Sequence, residues 1–237
     1  MNENLLHLEP REFGRYFDHT LLKAFASNAD FEAFCRTGIQ YNVKMLAVNP
    51  AAVAFCKEQV NNHDINVGAA IGFPLGQSTL ETKVFETMDS IGKGADEIDY
   101  VINITELKNK NYKFIEDEMK SIISVCRENS VISKVIFENC YLTDDEKKRL
   151  CEIANQVKPD FIKTSTGFGT GGALISDVKL MRAYAAPEIK IKASGGIKTL
   201  DDTMNIIRAG AERIGTSAAA SIIEDFIAVT CSVTAIV

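Results

Sequence analysis

Asp160-Phe161-Ile162-Lys163-Thr164-Ser165-Thr166-Gly167 reads as a short apolar strand, entered after Pro159, that runs straight into a loop of small residues reaching Gly172. A strand punctuated in this way is expected to be covered on at least one face, where an ammonium is expensive to bury. Lys163 is therefore the residue to be explained. One explanation is a strand-end lysine whose stem is covered and whose head reaches water. The other is chemical. An ordinary lysine amine is neutral in only about one molecule in two thousand at pH 7, whereas a desolvated amine beside a second cation becomes a nucleophile towards carbonyls.

Outward from this strand the same unit repeats in both directions. Upstream lie strand patterns at Tyr16–Leu22, Val43–Val48, Asn66–Ile71, Glu97–Ile102 and Ser133–Phe137; downstream lie Ile189–Ala193 and Glu212–Gly215. Helical patterns follow them. Asn49 is placed to cap a helix begun by Pro50, Ser78 and Glu81 form a Ser-x-x-Glu capping box, a helix runs from about Asn111 to Arg127, and others open at Thr143 and Thr199. A short polar helix around Pro10 to Gly14 precedes them. Eight βα units in a 237-residue chain predict an α/β fold of the closed (β/α)₈ TIM-barrel type with a short N-terminal helix, as one domain spanning residues 1–237. The rival is a doubly wound open sheet, and Gly167-Phe168-Gly169-Thr170-Gly171-Gly172 even matches its G-x-G-x-x-G fingerprint. That match fails one strand later, which ends in Lys192-Ala193 and not in the acid that would hold a ribose hydroxyl.

Composition bounds the partners. Hydrophobic residues make up 46% of the chain and charged ones 24%, an ordinary globular balance. A net charge of −6 argues against a nucleic-acid footprint, which needs a basic face. No apolar run approaches the length of a membrane span, and Met1-Asn2-Glu3-Asn4 lacks the order of a signal peptide, so a cytoplasmic protein is expected. The six cysteines show no metal-like or C-x-x-C spacing and are expected as reduced thiols; His7, His19 and His63 form no ligand pair, so neither metal nor cofactor is expected.

In a barrel, alternate strand residues face the interior, so Lys190 and Lys192 point inward while Ile189, Ile191 and Ala193 face helices, and by the same parity Phe161 and Lys163 point inward next door. A second ammonium about 6 Å from Lys163, at an effective dielectric near 20, disfavours its charged form by roughly 3 kcal/mol, or about two pKa units. Asp99 is a candidate for proton transfer, or else only a carboxylate that balances the lysines; Glu97, deeper on the same face, reads as structural. The loops around Thr166, Gly167, Gly171 and Gly172, at Gly195 and Gly196, and at Gly215, Thr216 and Ser217 offer backbone donors ahead of helices, which suits a phosphate.

These residues resemble the deoxyribose-phosphate aldolase family over nearly the whole chain. The resemblance rests on Asp18-His19-Thr20-Leu21-Leu22-Lys23, Val48-Asn49-Pro50, Gly72-Phe73-Pro74-Leu75-Gly76, Gly94-Ala95-Asp96-Glu97-Ile98-Asp99, Phe161 to Phe168, Lys192-Ala193-Ser194-Gly195-Gly196-Ile197 and Gly215-Thr216-Ser217. It implies a metal-free Schiff-base aldolase that reversibly cleaves 2-deoxy-D-ribose 5-phosphate to acetaldehyde and D-glyceraldehyde 3-phosphate. Lys163 falls at the family's Schiff-base lysine, Lys192 at its second lysine, Asp99 at its proton-relay aspartate and Asp18 where an acid often stands in the pocket. Ala47 departs from the cysteine of many members, and the C-terminus Thr234-Ala235-Ile236-Val237 lacks the tyrosine some bring back to the site. The expected partners are a small sugar phosphate and further copies of the chain, as a dimer or tetramer, with neither nucleic acid nor membrane. Two rivals remain at this point: a Schiff-base aldolase or transaldolase for another sugar phosphate, and a catalytically idle barrel that only binds one.

Overall fold

A computed structural model describes residues 8–234. Eight parallel strands close in chain order: β1 (Phe17–Leu21), β2 (Met45–Val48), β3 (Asn66–Ile71), β4 (Glu97–Val101), β5 (Ile132–Ile136), β6 (Phe161–Lys163), β7 (Lys190–Ser194) and β8 (Arg213–Thr216), the last pairing back onto β1. Helix α1 (Pro10–Gly14) precedes the barrel. Around it lie α2 (Asn28–Gln40), α3 (Val53–Gln59), α4 (Leu80–Gly92), α5 (Ile104–Lys108), α6 (Tyr112–Glu128), α7 (Asp144–Val157), α8 (Ile175–Tyr184), α9 (Leu200–Arg208) and α10 (Ala219–Thr234). This is the (β/α)₈ barrel with a short N-terminal helix that the strand spacing predicts. Among the described residues no helix is long and apolar enough to cross a membrane.

Strand alternation sorts the side chains into two sets. Leu46, Val67, Ile98, Val135, Ile162 and Ile191 face the helices and join one apolar cluster, where burying each contributes about 1.5–3 kcal/mol. The inward set differs from the branched aliphatic filling usual in such barrels. It holds Asp18, Glu97, Asp99, Lys134, Lys163, Lys192 and Arg213, all buried. Register puts them in contact, with Asp99 opposite Lys134, Lys163 opposite Lys192, and Lys192 opposite Arg213. The core therefore sits between sheet and helices, and the barrel's axis is ionic.

Local chemistry explains most boundaries. Thr143 and Thr199 each close a capping box, and Asn111 accepts from Phe114 N–H at the start of α6. Two expected caps fall elsewhere. α4 is capped by Thr79, whose side chain accepts from Thr82 N–H, and not by Ser78 one residue earlier. Asn49 makes no cap bond; its amide donates to Leu22 O, and Pro50 opens a 3₁₀ turn, Pro50–Ala52, ahead of α3. The stretch Met1-Asn2-Glu3-Asn4 and the end of the C-terminal tail, residues 235–237, lie outside the described residues.

Candidate active site

At the C-terminal ends of the strands a cavity of about 620 Å³ opens, with Lys163 and Asp99 among its lining residues. Lys163 ends β6, so its side chain rises from inside the barrel towards this cavity while only 5% of its surface stays exposed. Lys192, its register partner on β7, does not line the cavity. Gly215 makes room for that lysine: a Cβ there would sit 2.8 Å from Ser194 Cβ and 3.1 Å from Lys192 Cε.

The two lysines meet on one carboxylate. Asp99 Oδ2 accepts from Lys163 Nζ at 2.8 Å and from Lys192 Nζ at 2.6 Å, while its Oδ1 accepts from Lys134 Nζ at 2.7 Å. Lys192 also forms an ion pair with Asp18 Oδ2 at 2.5 Å. Below them Arg213 donates from Nε to Asp18 Oδ1 at 2.6 Å and from Nη2 to both oxygens of Glu97 at 2.8 and 2.7 Å. Lys134 completes the ring through an ion pair with Glu97. Phe161 lies beneath, with the cations of Lys134 and Arg213 5.9 and 5.5 Å from its ring centre.

Electrostatics follow from this geometry. Burial pushes the Lys163 ammonium down to about 8; Asp99 opposes the shift, and the nearby cation of Lys192 adds to it. About one molecule in ten then carries a neutral amine at pH 7, some two hundred times the fraction expected in water. Burial works against the Asp99 charge, but Lys134, Lys163 and Lys192 overcome it and hold the carboxyl well below its usual range. Asp18 is lowered to about 2 in the same way, against burial, by Arg213, Lys192 and Lys134. A buried ionic cluster of this kind gives little net stability over an apolar filling. Stability alone therefore does not account for its place beneath the pocket.

The expected binding residues divide. Thr166, Gly167, Gly195, Gly196, Gly215, Thr216 and Ser217 all line the cavity. The two threonines act as struts. Thr166 donates its hydroxyl to Glu138, which also accepts the Thr166 N–H at 3.1 Å, and Thr216 donates to Ile197 O at 2.7 Å. The N–H groups of Gly167, Gly195, Gly196 and Ser217 find no acceptor among the described residues and remain available to an anion. Gly171 and Gly172 do not line the cavity. Their loop turns aside: Gly171 packs beside Cys140, and Gly172 lies so close to the Gly195 carbonyl that a Cβ would come within 2.2 Å of its oxygen. Asp18 is likewise no pocket residue, being wholly buried between Arg213 and Lys192. Ala47 does line the cavity, and Phe168, packed edge-on to Phe73 with ring centres 5.4 Å apart, forms part of its wall.

Four contributors escape the reading of the sequence: Lys134 and Arg213 inside the barrel, and the exposed Lys23 and Lys198, which line the cavity. Inward parity on the expected strands Ser133–Phe137 and Glu212–Gly215 carries the signal for the first two. Among the described residues no group of three or more His, Cys, Asp or Glu side chains is placed to hold a metal ion.

Comparison with known proteins adds an independent line. The model of the DeoC/LacD family aldolases matches residues 15–222. The chain is 56% identical to the deoxyribose-phosphate aldolase of Lactobacillus acidophilus over 89% of each chain. To the enzyme of that name from Thermococcus kodakarensis it is 44% identical over 92% of this chain and 98% of the relative. Among solved structures, the tetrameric deoxyribose phosphate aldolase from Aeropyrum pernix superposes with a TM-score of 0.87 at 28% identity, covering 93% of both chains.

Proposed function

The chain belongs to the DeoC/LacD family of aldolases, and from that membership we propose that it cleaves 2-deoxyribose 5-phosphate through an imine on Lys163. The observation that carries this reading is the Lys163 amine itself: buried, lining the cavity, pushed down to about 8 by burial, and sharing Asp99 Oδ2 with a second lysine. Lys163 Nζ attacks the aldehyde carbon of the open-chain sugar, and the resulting hydroxyl takes a proton and leaves as water, giving an iminium. A proton leaves the C3 hydroxyl, the C2–C3 bond breaks and its electron pair moves to the iminium. Glyceraldehyde 3-phosphate departs, and the enamine left on Lys163 takes a proton at carbon and is hydrolysed to acetaldehyde and free amine.

Each proton transfer needs a group near Nζ; the contact of Asp99 with Lys163, and of Lys192 with the same carboxylate, supports these two in that role. Because the Asp99 carboxyl is held far below its usual range, a proton taken there passes on quickly; Lys192, between Asp18 and Asp99, is the neighbouring reservoir. The open backbone donors of Gly167, Gly195, Gly196 and Ser217 would hold the phosphate, with Lys198 nearby. The six free thiols support a reducing cytoplasmic setting, and the tetrameric Aeropyrum pernix relative supports a homo-oligomer.

Borohydride reduction in the presence of acetaldehyde, followed by peptide mass mapping, tests this reading. A reduced two-carbon adduct on Lys163 is expected, and an adduct on Lys192 or Lys134 instead would overturn the assignment.

A further inference from the structure

Seven charged side chains fill the barrel, and the mechanism above calls directly on only Lys163, Lys192 and Asp99. The remaining four, Asp18, Glu97, Lys134 and Arg213, do not line the cavity. They nevertheless bear on it through the charge count. The bases are Lys134, Lys163, Lys192 and Arg213, and the acids are Asp18, Glu97 and Asp99, four against three. With every other member ionised, the interior is neutral only when Lys163 has lost its proton. An uncompensated charge in a buried cluster is strongly disfavoured, so the excess is shed at the one base that opens onto the cavity.

We propose that Lys134 is a positioning residue that governs the pH at which Lys163 becomes nucleophilic, acting through the interior charge count and never touching the substrate. The inference rests on Lys163 being the imine-forming residue. Lys134 has no exposed surface; its Nζ bonds Asp99 Oδ1 at 2.7 Å, pairs with Glu97 and touches Met45 Sδ at 3.3 Å across the barrel. The charged groups that surround this cluster come from β1 (Asp18), β4 (Glu97 and Asp99), β6 (Lys163), β7 (Lys192 and, below Phe161, the exposed Lys190) and β8 (Arg213). Met45 on β2 and Asn66 on β3, which donates to Glu97 Oε1 at 2.6 Å, face it uncharged. Although burial penalises it, the Lys134 ammonium is fixed by Asp99, Glu97 and Asp18, which push its pKa up. It therefore stays charged while Lys163 titrates.

Glu97 and Lys134 thus form a pair whose members have opposite effects. Deleting the cation leaves an unbalanced anion that draws a proton back onto Lys163; deleting the anion does the reverse. The test measures kcat/KM for 2-deoxyribose 5-phosphate across the neutral and alkaline range in Lys134→Met, Glu97→Gln and the double variant. The acid limb is expected to move up by about one pH unit in Lys134→Met, a tenfold loss at a fixed pH below the limb, to move down in Glu97→Gln, and to return in the double variant. Lys134→Arg is expected to keep the wild-type limb. A purely structural role would lower kcat/KM equally at every pH, and unmoved limbs or a double variant that does not return would overturn the proposal. Should Lys134→Met not fold, Glu97→Gln and the charge-balanced double variant decide alone. Borohydride trapping of the wild type separates the two levels: no adduct on Lys163 removes the reading of the site, whereas an adduct with unmoved limbs removes only this inference.

Discussion

Lys163 and Lys192 bond the same oxygen, Asp99 Oδ2, at 2.8 and 2.6 Å, yet only Lys192 has a second carboxylate, Asp18, at 2.5 Å. The shared acceptor makes the two ammonium groups compete for one negative charge, and only Lys192 has a further carboxylate beside it, while burial, with the Lys192 cation adding to it, pushes the Lys163 amine down to about 8. Lys192→Ala removes a like charge from beside Lys163 and releases Asp99 to it. The folded-state amine then holds its proton to higher pH, so the acid limb of kcat/KM should move up by about one unit, with partial recovery of rate at alkaline pH. A pH–rate profile superposable on the wild type would refute this role.

Asp99→Asn keeps the shape of the acceptor and removes its charge. The amide cannot take a proton, so turnover should fall at least about a hundredfold, the usual contribution of one acid–base group. Trapping by borohydride should persist, because Lys163 and the cavity remain and the loss of a neighbouring anion favours the neutral amine. Single-turnover cleavage and adduct yield, measured side by side, check it; normal turnover would rule out Asp99 as the proton carrier.

Lys198 is exposed and lines the cavity next to the open N–H groups of Gly195 and Gly196. Its cation should assist the backbone donors without being essential, since helix ends and nests bind anions by themselves. Lys198→Ala is expected to raise KM for the phosphorylated sugar about tenfold at low salt with kcat little changed, and to leave the slow reaction of unphosphorylated 2-deoxyribose unaltered. Equal loss for both sugars would place the phosphate elsewhere.

His19, on β1, stacks on Phe34 of α2 with ring centres 4.5 Å apart, and its buried Nδ1 has no hydrogen-bond partner among the described residues. Burial lowers it to about 4. A base whose folded pKa lies below its unfolded value of about 6.5 is neutral in the fold, so its penalty is absent above that value, grows as pH falls and is complete below about 4. The loss amounts to about 2 kcal/mol by pH 5. Urea unfolding of His19→Leu should lack that part of the acid sensitivity between pH 7 and 5; identical pH slopes in variant and wild type would contradict it.

How much of the molecule is legible in its sequence depends on whether the cause is local. Strands and most caps are legible because Pro159, the glycine loops, Thr143 and Thr199 punctuate the chain where they stand. Ser78 and Thr79 both satisfy the chemistry of an N-cap, and in the fold it is Thr79 that accepts from Thr82 N–H at the start of α4. Lys163, Lys192 and Asp99 are found by parity, which is also local. The links from Arg213 to Glu97 and from Lys134 to Met45 cross the barrel, so their partners are set by closure and not by neighbours in sequence. Gly171 and Gly172 show the opposite failure, because a glycine announces that the backbone can turn and not which way.

The bond from Arg213 to Asp18 spans 195 residues and ties the last strand to the first. An open, half-built barrel therefore has no working pocket floor: its acids and bases remain hydrated, each at its ordinary acidity, and the amine of Lys163 stays inert. Long-range pairings of this sort form slowly because a large loop must be ordered before they repay it. During renaturation, the moment at which the chain first reacts with an aldehyde is thus a clock for the joining of β8 to β1, and secondary structure will run ahead of it.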